Sequence, residues 1–495
     1  MAILEEVRKD YGRLKFFING EWVESKSKKT FFDTNPATGD VIAEVPIAQE
    51  DEVDMAIDAA FSAFKKWKEV PFRDRADYIN RLRAAFDRNH EFLARILSQD
   101  HGRTIRDSRG TIDRCIENIE SASGAMYSFY KGEYVEQLAQ GIDCYMLWEP
   151  VGVFLIITPG NIPMHAWSSF VPYALACGCT VIVSPSWQCP VASEAVFKVS
   201  EEVRFPPGVL NLIHIGKDFE LNRKILTDPR VQGVGFIGST AVGKQLFELC
   251  GKMGKRSSIN GNGKNFIVVA PDAELDNAVN YLLRGCFGMS GQRCLGSDNV
   301  VVIGSIYDEL KEKFVLSAKN MKVGYGLDES SEMGPMTTKE NKERVERFIE
   351  KGLKEGAKII LDGRSLKVPG YERGYFLGPT IFEDVDPQME IAKVESFGPV
   401  ANLIRAESLD QAIEWINTST DYGHSACLIT QSGKWARKFI HECNVGNVGI
   451  NAGIPQPYAF FPLGSKRQSF FGMAKSRFDS VRLFLDQKTV TVRWV

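Results

Sequence analysis

Cys294 closes the run Phe287-Gly288-Met289-Ser290-Gly291-Gln292-Arg293-Cys294, where small residues leave backbone exposed around a thiol. The thiolate is the reactive form, and nearby positive charge favours it, as Arg293 does from the next position. A small apolar core residue would fit the same place. Asn161 lies between two prolines in Thr158-Pro159-Gly160-Asn161-Ile162-Pro163. A rigid loop that presents an amide N–H can stabilise negative charge developing on a carbonyl oxygen, although a turn asparagine would read alike. Glu395 precedes Phe397 by two positions in Glu395-Ser396-Phe397-Gly398-Pro399-Val400. Such a carboxylate can take a ribose hydroxyl while the ring packs on a nicotinamide; the alternative is a solvated glutamate before a strand. Gly233-Val234-Gly235-Phe236-Ile237-Gly238 spells GxGxxG, but its apolar residues belong to a strand and the turn falls at Gly238-Ser239-Thr240. Gly243-Lys244 is followed by Gln245, which lacks the hydroxyl that a magnesium-binding P-loop requires. What remains is a small-residue turn feeding a helix whose first amides suit a pyrophosphate, or else an ordinary tight connection.

Those residues need elements to hold them. From Pro150 to Ser193 there is no Asp, Glu, Lys or Arg, yet prolines and glycines divide the stretch into strand VGVFLII, loop TPGNIP, helix SSFVPYALACG and strand TVIVS. Buried parallel strands read this way, and a membrane span does not. Helical SEAVFKVSEEV, ELNRKILTD and AVGKQLFELCGKMG then alternate with strands VLNLIHIG and VQGVGFIG. That rhythm predicts a doubly wound parallel sheet with ligands beyond the carboxyl ends of its strands. Ahead of it, residues 16–45 read as a small antiparallel element, and helical spacing follows from Glu50. A second αβ series begins at FIVVAPDAELDNAVNYLLRGCFG and runs to about Asn447, and the β-rich tail DSVRLFLDQKTVTVRWV should pair with something already built.

At 495 residues two or three domains are expected. A net charge of -3 argues against general nucleic-acid binding. Ten cysteines are scattered without CxxC pairs or His-rich metal spacing, so no metal site is expected and the compartment reads as reducing and cytoplasmic. The segment MAILEEVRKDYGRLK has no apolar signal core, so neither secretion nor membrane anchoring is expected.

Taken together, TPGNIP, FIGSTAVG, Gly263-Lys264-Asn265, GQRC, ESFGPV and Gly449-Ile450-Asn451 resemble the aldehyde dehydrogenase superfamily in order and spacing. The resemblance implies an α/β architecture of two αβ domains with parallel-sheet cores and a small β oligomerisation element. It places an NAD(P)-binding domain at 1–135 and 150–262, a catalytic domain at 263–447, and the oligomerisation element at 136–149 and 478–495. It implies that Cys294 attacks an aldehyde, that Asn161 and the Cys294 N–H hold the oxyanion, and that hydride leaves for a nicotinamide. Cofactor contacts are implied at Thr158, Ser184, Trp187, Gly238, Ser239, Gly243, Glu395 and Phe397, and assembly as a homodimer or homotetramer.

Superfamily members that finish with water carry a general-base glutamate four positions before the lysine of this motif; here that position is Asn260. Water should then be a poor acyl acceptor, and the thiol of coenzyme A the natural one. Together with IENIESASGA, GINAGIPQPYAFFP and SFFG, this resembles the CoA-acylating methylmalonate-semialdehyde dehydrogenase branch, whose members decarboxylate a 3-oxo acid. In that branch Arg114 and Arg293 would grip the substrate carboxylate. The chain departs from the usual pattern at Ser184-Pro185-Ser186-Trp187, where a lysine and a glutamate are missing, which weakens the adenosine grip and could admit NADP as well as NAD. Gly160 replaces an aromatic residue and should leave extra room. A hydrolytic enzyme, an acyl-CoA reductase, and a binding or scaffold protein that has lost cofactor affinity are the competing readings.

Overall fold

The computed structural model describes residues 3–494. Its first sheet has eight strands in the order Glu21–Val23, Phe16–Ile18, Leu210–Leu212, Thr180–Pro185, Val153–Thr158, Val231–Ile237, Arg256–Asn260 and Phe470–Gly472. The five from Leu210–Leu212 to Arg256–Asn260 are parallel, and their neighbours on either side, Phe16–Ile18 and Phe470–Gly472, run antiparallel to them. The strand order reverses between Val153–Thr158 and Val231–Ile237, which opens a crevice at their carboxyl ends. Val153–Thr158 and Thr180–Pro185 are almost wholly buried, which explains why the sequence keeps charge out of both. Gly233 and Gly235 lie inside Val231–Ile237, where a Cβ on Gly235 would press on Ile156 and Phe170 at 3.0 Å. The literal GxGxxG is therefore a strand-packing pattern.

The second sheet has seven strands, Lys358–Leu361, Thr380–Glu383, Val400–Ala406, Asn299–Ile303, Phe266–Val269, Ser425–Ile429 and Asn447–Ile450, parallel except for the first. Glu133–Ala139, Ile142–Pro150 and Leu485–Arg493 form a separate three-stranded antiparallel arm. The tail does pair with something already built, but only from Leu485 onward. Residues 478–484 form short helical turns whose Val481, Leu483 and Phe484 pack into the first core. Conversely, the arm begins at Glu133, before the expected boundary at residue 136.

Several strands escaped the sequence reading, two of them in the first sheet: Arg256–Asn260 is short and polar at four of five positions, and Phe470–Gly472 brings the chain back from the second unit to the edge of the first sheet. Among the described residues no helix is long and apolar enough to cross a membrane.

Candidate active site

Residues that follow strands of the first sheet meet residues that precede strands of the second: Asn161 donates to the Gln292 carbonyl and Asn262 to Glu395. Thr158, Asn161, Pro185, Gly238 and Asn260 end or follow strands of the first; Gly263, Cys294 and Glu395 precede strands of the second. The expectation that ligands sit beyond strand carboxyl ends thus describes only one wall of the site.

The nucleophile loop is built by strained backbone. Helix Leu275–Leu282 passes through a π-helical turn, Leu283–Phe287, into the turn Gly288–Gly291. Met289 and Ser290 are left-handed, with φ of 54° and 55°, which residues bearing a Cβ seldom adopt. Ser290 Oγ donates to the Gly334 carbonyl at 2.7 Å and holds the bend. Gly291 is also left-handed, and a Cβ there would collide with the Gly398 carbonyl. Beyond the bend, Asn265 Nδ2 donates to the carbonyls of Cys294 at 2.8 Å and Gly296 at 2.6 Å, while its Oδ1 accepts the Ser425 N–H at 3.0 Å.

Cys294 is partly exposed and opens on a cavity of about 580 Å³. Burial and the neighbouring Glu395 push its thiol up to about 11, against the opposing pull of Arg477 and the Leu295 and Cys294 amides. The sequence suggested that Arg293 would activate the thiol. Its guanidinium turns to Asp107 instead, with Nη2 at 2.6 Å from Oδ1, and the guanidinium that favours the thiolate is Arg477.

Asn161 is buried, and its Nδ2 donates to the Gln292 carbonyl at 3.0 Å, directly before the nucleophile loop's last two residues. A side-chain amide has two N–H groups, so one remains for an oxyanion. Arg103 locks the loop from behind, donating to the Asn161 carbonyl and, at 2.9 Å, to Thr111 Oγ1. The extra room expected at Gly160 does not exist: Gln188 occupies the space, and a Cβ at Gly160 would collide with it.

The second wall is tied together by Lys264, whose Nζ donates to Asp298 Oδ2 at 2.6 Å and to the Ile391 carbonyl at 2.7 Å. Asp298 Oδ2 also accepts the Ser396 N–H at 3.1 Å, which sets Glu395 in place. Glu395 accepts from Asn262 Nδ2 and, at 3.1 Å, from the Gly263 N–H; burial still pushes its carboxyl up to about 7. Phe397 is left-handed at φ 47°, and Arg344 holds its carbonyl at 3.2 Å.

Across the crevice, Ser239 caps helix Thr240–Met253 through a 3.4 Å bond to the Val242 N–H. Gly243 lets that helix lie against its strand, since a Cβ would meet Ile259 at 2.7 Å. Gly238 likewise faces the Phe236 ring, which would meet a Cβ at 2.5 Å. Thr158 Oγ1 is buried without a hydrogen-bond partner. Ser184 is buried within its strand, and Trp187 carries Lys217 Nζ at 3.8 Å from its ring centre. Asn260 ends strand Arg256–Asn260 beside Ile237, a cavity residue, and neither atom of its amide has a partner.

Arg114 and Arg293 both line the Cys294 cavity, together with His165 and Arg477. Arg114 pairs with Glu117 at 2.5 Å and lies 4.4 Å from the centre of the Tyr458 ring. Sequence reasoning missed Arg103, His165 and Arg477. None stands in a named motif; Arg103 and Arg477 come from elements far from Asn161 and Cys294 in the chain, and His165 lies just past TPGNIP on helix Pro163–Ser168. The GKN motif did point to Lys264 and Asn265, but only as a pattern without a task.

The model of the aldehyde dehydrogenase family matches residues 22–490. A malonate-semialdehyde dehydrogenase 2 of Geobacillus kaustophilus is 38% identical over 482 residues, 97% of this chain and 99% of that protein. A malonate-semialdehyde dehydrogenase of Pseudomonas aeruginosa is 37% identical over 98% of this chain and 97% of its own length. Among solved structures, a methylmalonate-semialdehyde dehydrogenase of Oceanimonas doudoroffii superimposes with a TM-score of 0.95 at 34% identity, covering 98% of this chain and 99% of that one. An aldehyde dehydrogenase of Bacillus cereus, solved as its NAD+ complex, gives a TM-score of 0.92 at 32% identity, covering 98% and 97%. With an asparagine amide bonded to the nucleophile loop, a crevice at the strand reversal, and matches over nearly its whole length, the chain belongs to the aldehyde dehydrogenase family.

Proposed function

We propose that the chain oxidises a small carboxylated semialdehyde, of the malonate or methylmalonate semialdehyde type, to its coenzyme A thioester. The observation that carries this reading is Asn260: the strand end that would supply a carboxylate for hydrolysis supplies an amide, paired in the sheet with Ile237 of a cavity lined by arginines. Relatives named for malonate semialdehyde support the substrate class.

In this reading Cys294 Sγ attacks the aldehyde carbon. The oxyanion is met by the remaining Asn161 amide hydrogen and the Cys294 N–H, donors already fixed before reaction. Collapse of the tetrahedral adduct leaves a thioester on Sγ, and the thiolate of coenzyme A then displaces the acyl group and restores Cys294. A nicotinamide dinucleotide, NAD or NADP, supplies the hydride acceptor when bound. The chain's residues fit such a group. Thr158 Oγ1 lacks a partner, the capped helix starting at Thr240 suits a pyrophosphate, and Gly238 and Gly243 keep backbone close. Glu395 and Phe397 stand at the nicotinamide end, Ser184 and Trp187 at the adenosine end, where no carboxylate opposes a 2′-phosphate. Arg114 and Arg293 would border the substrate carboxylate. Exposed apolar side chains on the arm, among them Tyr134, Leu138 and Leu147, support assembly as a homodimer or homotetramer.

The test is steady-state oxidation of malonate semialdehyde with and without coenzyme A, under each cofactor. Acyl-CoA formation with slow turnover in its absence is expected. Full turnover without coenzyme A would overturn the reading in favour of hydrolysis. That second reading has one observation behind it: Glu395, held at about 7 and close enough to raise the Cys294 thiol, has the proton affinity of a general base.

A further inference from the structure

Five guanidinium groups border the Cys294 cavity: Arg106, Arg114, Arg284, Arg293 and Arg477. They differ in what already balances their charge. Arg106 and Arg284 are exposed to water, whereas Arg114 is paired with Glu117 and Arg293 with Asp107. Arg477 is only 2% exposed, and among the described residues no carboxylate lies within ion-pair distance of it. Glu117 acts on it only from farther off.

Its bonds are all to neutral groups. Nη1 donates to the Pro457 carbonyl, Nη2 donates to His165 Nε2 at 3.2 Å, and Nε has no partner at all. His165 can accept because burial and the surrounding arginines hold it neutral, well below its ordinary range. The backbone of Arg477 is itself forced, with φ at 67°, and its N–H is tied to the Ser169 carbonyl at 3.0 Å. Left-handed backbone at a residue with a side chain persists only where the surroundings impose it, and such positions gather at functional sites. A buried cation without a counter-ion is a costly arrangement that an incoming anion relieves. Of the groups whose negative charge acts on Arg477, Tyr173, Cys294 and Glu117, the Cys294 thiol is the one that lines the cavity, and it is consumed when the substrate bonds to it.

We propose that Arg477, steadied by His165, seats the free carboxylate of the substrate and so selects a short 3-oxo acid over neutral aldehydes. The proposal rests on the function given above and names the residue that reads the acid group. Arg114 and Arg293, each already paired with a carboxylate, border the same acid group from the rim of the cavity.

Two measurements test it, one of them independent of turnover. Alkylation of Cys294 by iodoacetamide is followed with and without malonate, a dicarboxylate that cannot react. Malonate should protect the wild type, and Arg477→Gln should weaken that protection roughly 10- to 100-fold, the range for one charge-assisted hydrogen-bonded contact. Arg477→Lys, which keeps the charge and loses the fork, should fall between. In parallel, kcat/KM for malonate semialdehyde should fall about 10-fold or more beyond the fall for propanal in Arg477→Gln. Absence of malonate protection in the wild type overturns the proposal, and this arm needs no variant to fold. Equal losses for both aldehydes, or slower alkylation with protection intact, also overturn it and make Arg477 a support for the thiolate alone. A wild-type preference for carboxylated aldehydes that survives Arg477→Gln defeats only this inference. A wild type with no such preference defeats the proposed substrate class itself.

Discussion

Cys294→Ala should abolish acyl-CoA formation while leaving fold and assembly intact, and retained thioester product by mass spectrometry would refute its role. Removing a negative neighbour lowers a thiol's pKa, so Glu395→Gln should move the pH profile of Cys294 alkylation to lower pH than the wild type's. An unmoved profile would mean that burial alone sets it. Asn260→Glu should raise coenzyme-independent turnover by roughly 10²-fold, the lower range for a general base, read as acid product without coenzyme A. Cys294, Asn161, Glu395 and Asn260 were legible because each sits in a short run with a fixed place in the chain. Arg477 was not, since its meaning comes from what it lacks: a carboxylate that only three-dimensional packing could have supplied or withheld.

At the scale of elements, the site depends on one backbone contact. The nucleophile loop and the Glu395–Val400 loop meet at Gly291 and Gly398, where even a methyl group would collide with a carbonyl. Gly291→Ala should therefore displace both loops together, and a shift of about 1 Å at a reacting group costs around 10²-fold. Near wild-type kcat/KM for any aldehyde would show that the loops move independently. Helix and strand periodicity made the alternating elements of both sheets readable. It failed at Arg256–Asn260 and Phe470–Gly472, because a five-residue strand with four polar positions and a three-residue edge strand carry too little pattern to show.

In the whole molecule the two sheets meet at the site, and the three-stranded arm joins the first core through Trp148 and Leu485. All seven residues of Glu133–Ala139 are exposed, and a sheet of three strands without an apolar backing is not stable by itself. The double variant Leu138→Asp, Leu147→Asp should lower the mass measured by light scattering, with the far-ultraviolet spectrum unchanged. An unaltered mass would remove the arm from the assembly interface. The two-sheet plan was visible in the sequence. That the second sheet offers its amino ends was not, because periodicity tells which residues alternate and says nothing of which way a finished sheet faces.

Phe470–Gly472 closes the edge of a sheet whose other strands were all made more than two hundred residues earlier. During translation, then, the reactive sulfur emerges long before the segment that carries Arg477 and completes its surroundings. A ribosome stalled before that point would hold a polypeptide with both sheets' principal strands and no means of telling an acid aldehyde from a neutral one. Among the described residues only one strand, Leu485–Arg493, which completes the arm, is made after the residue that confers selectivity.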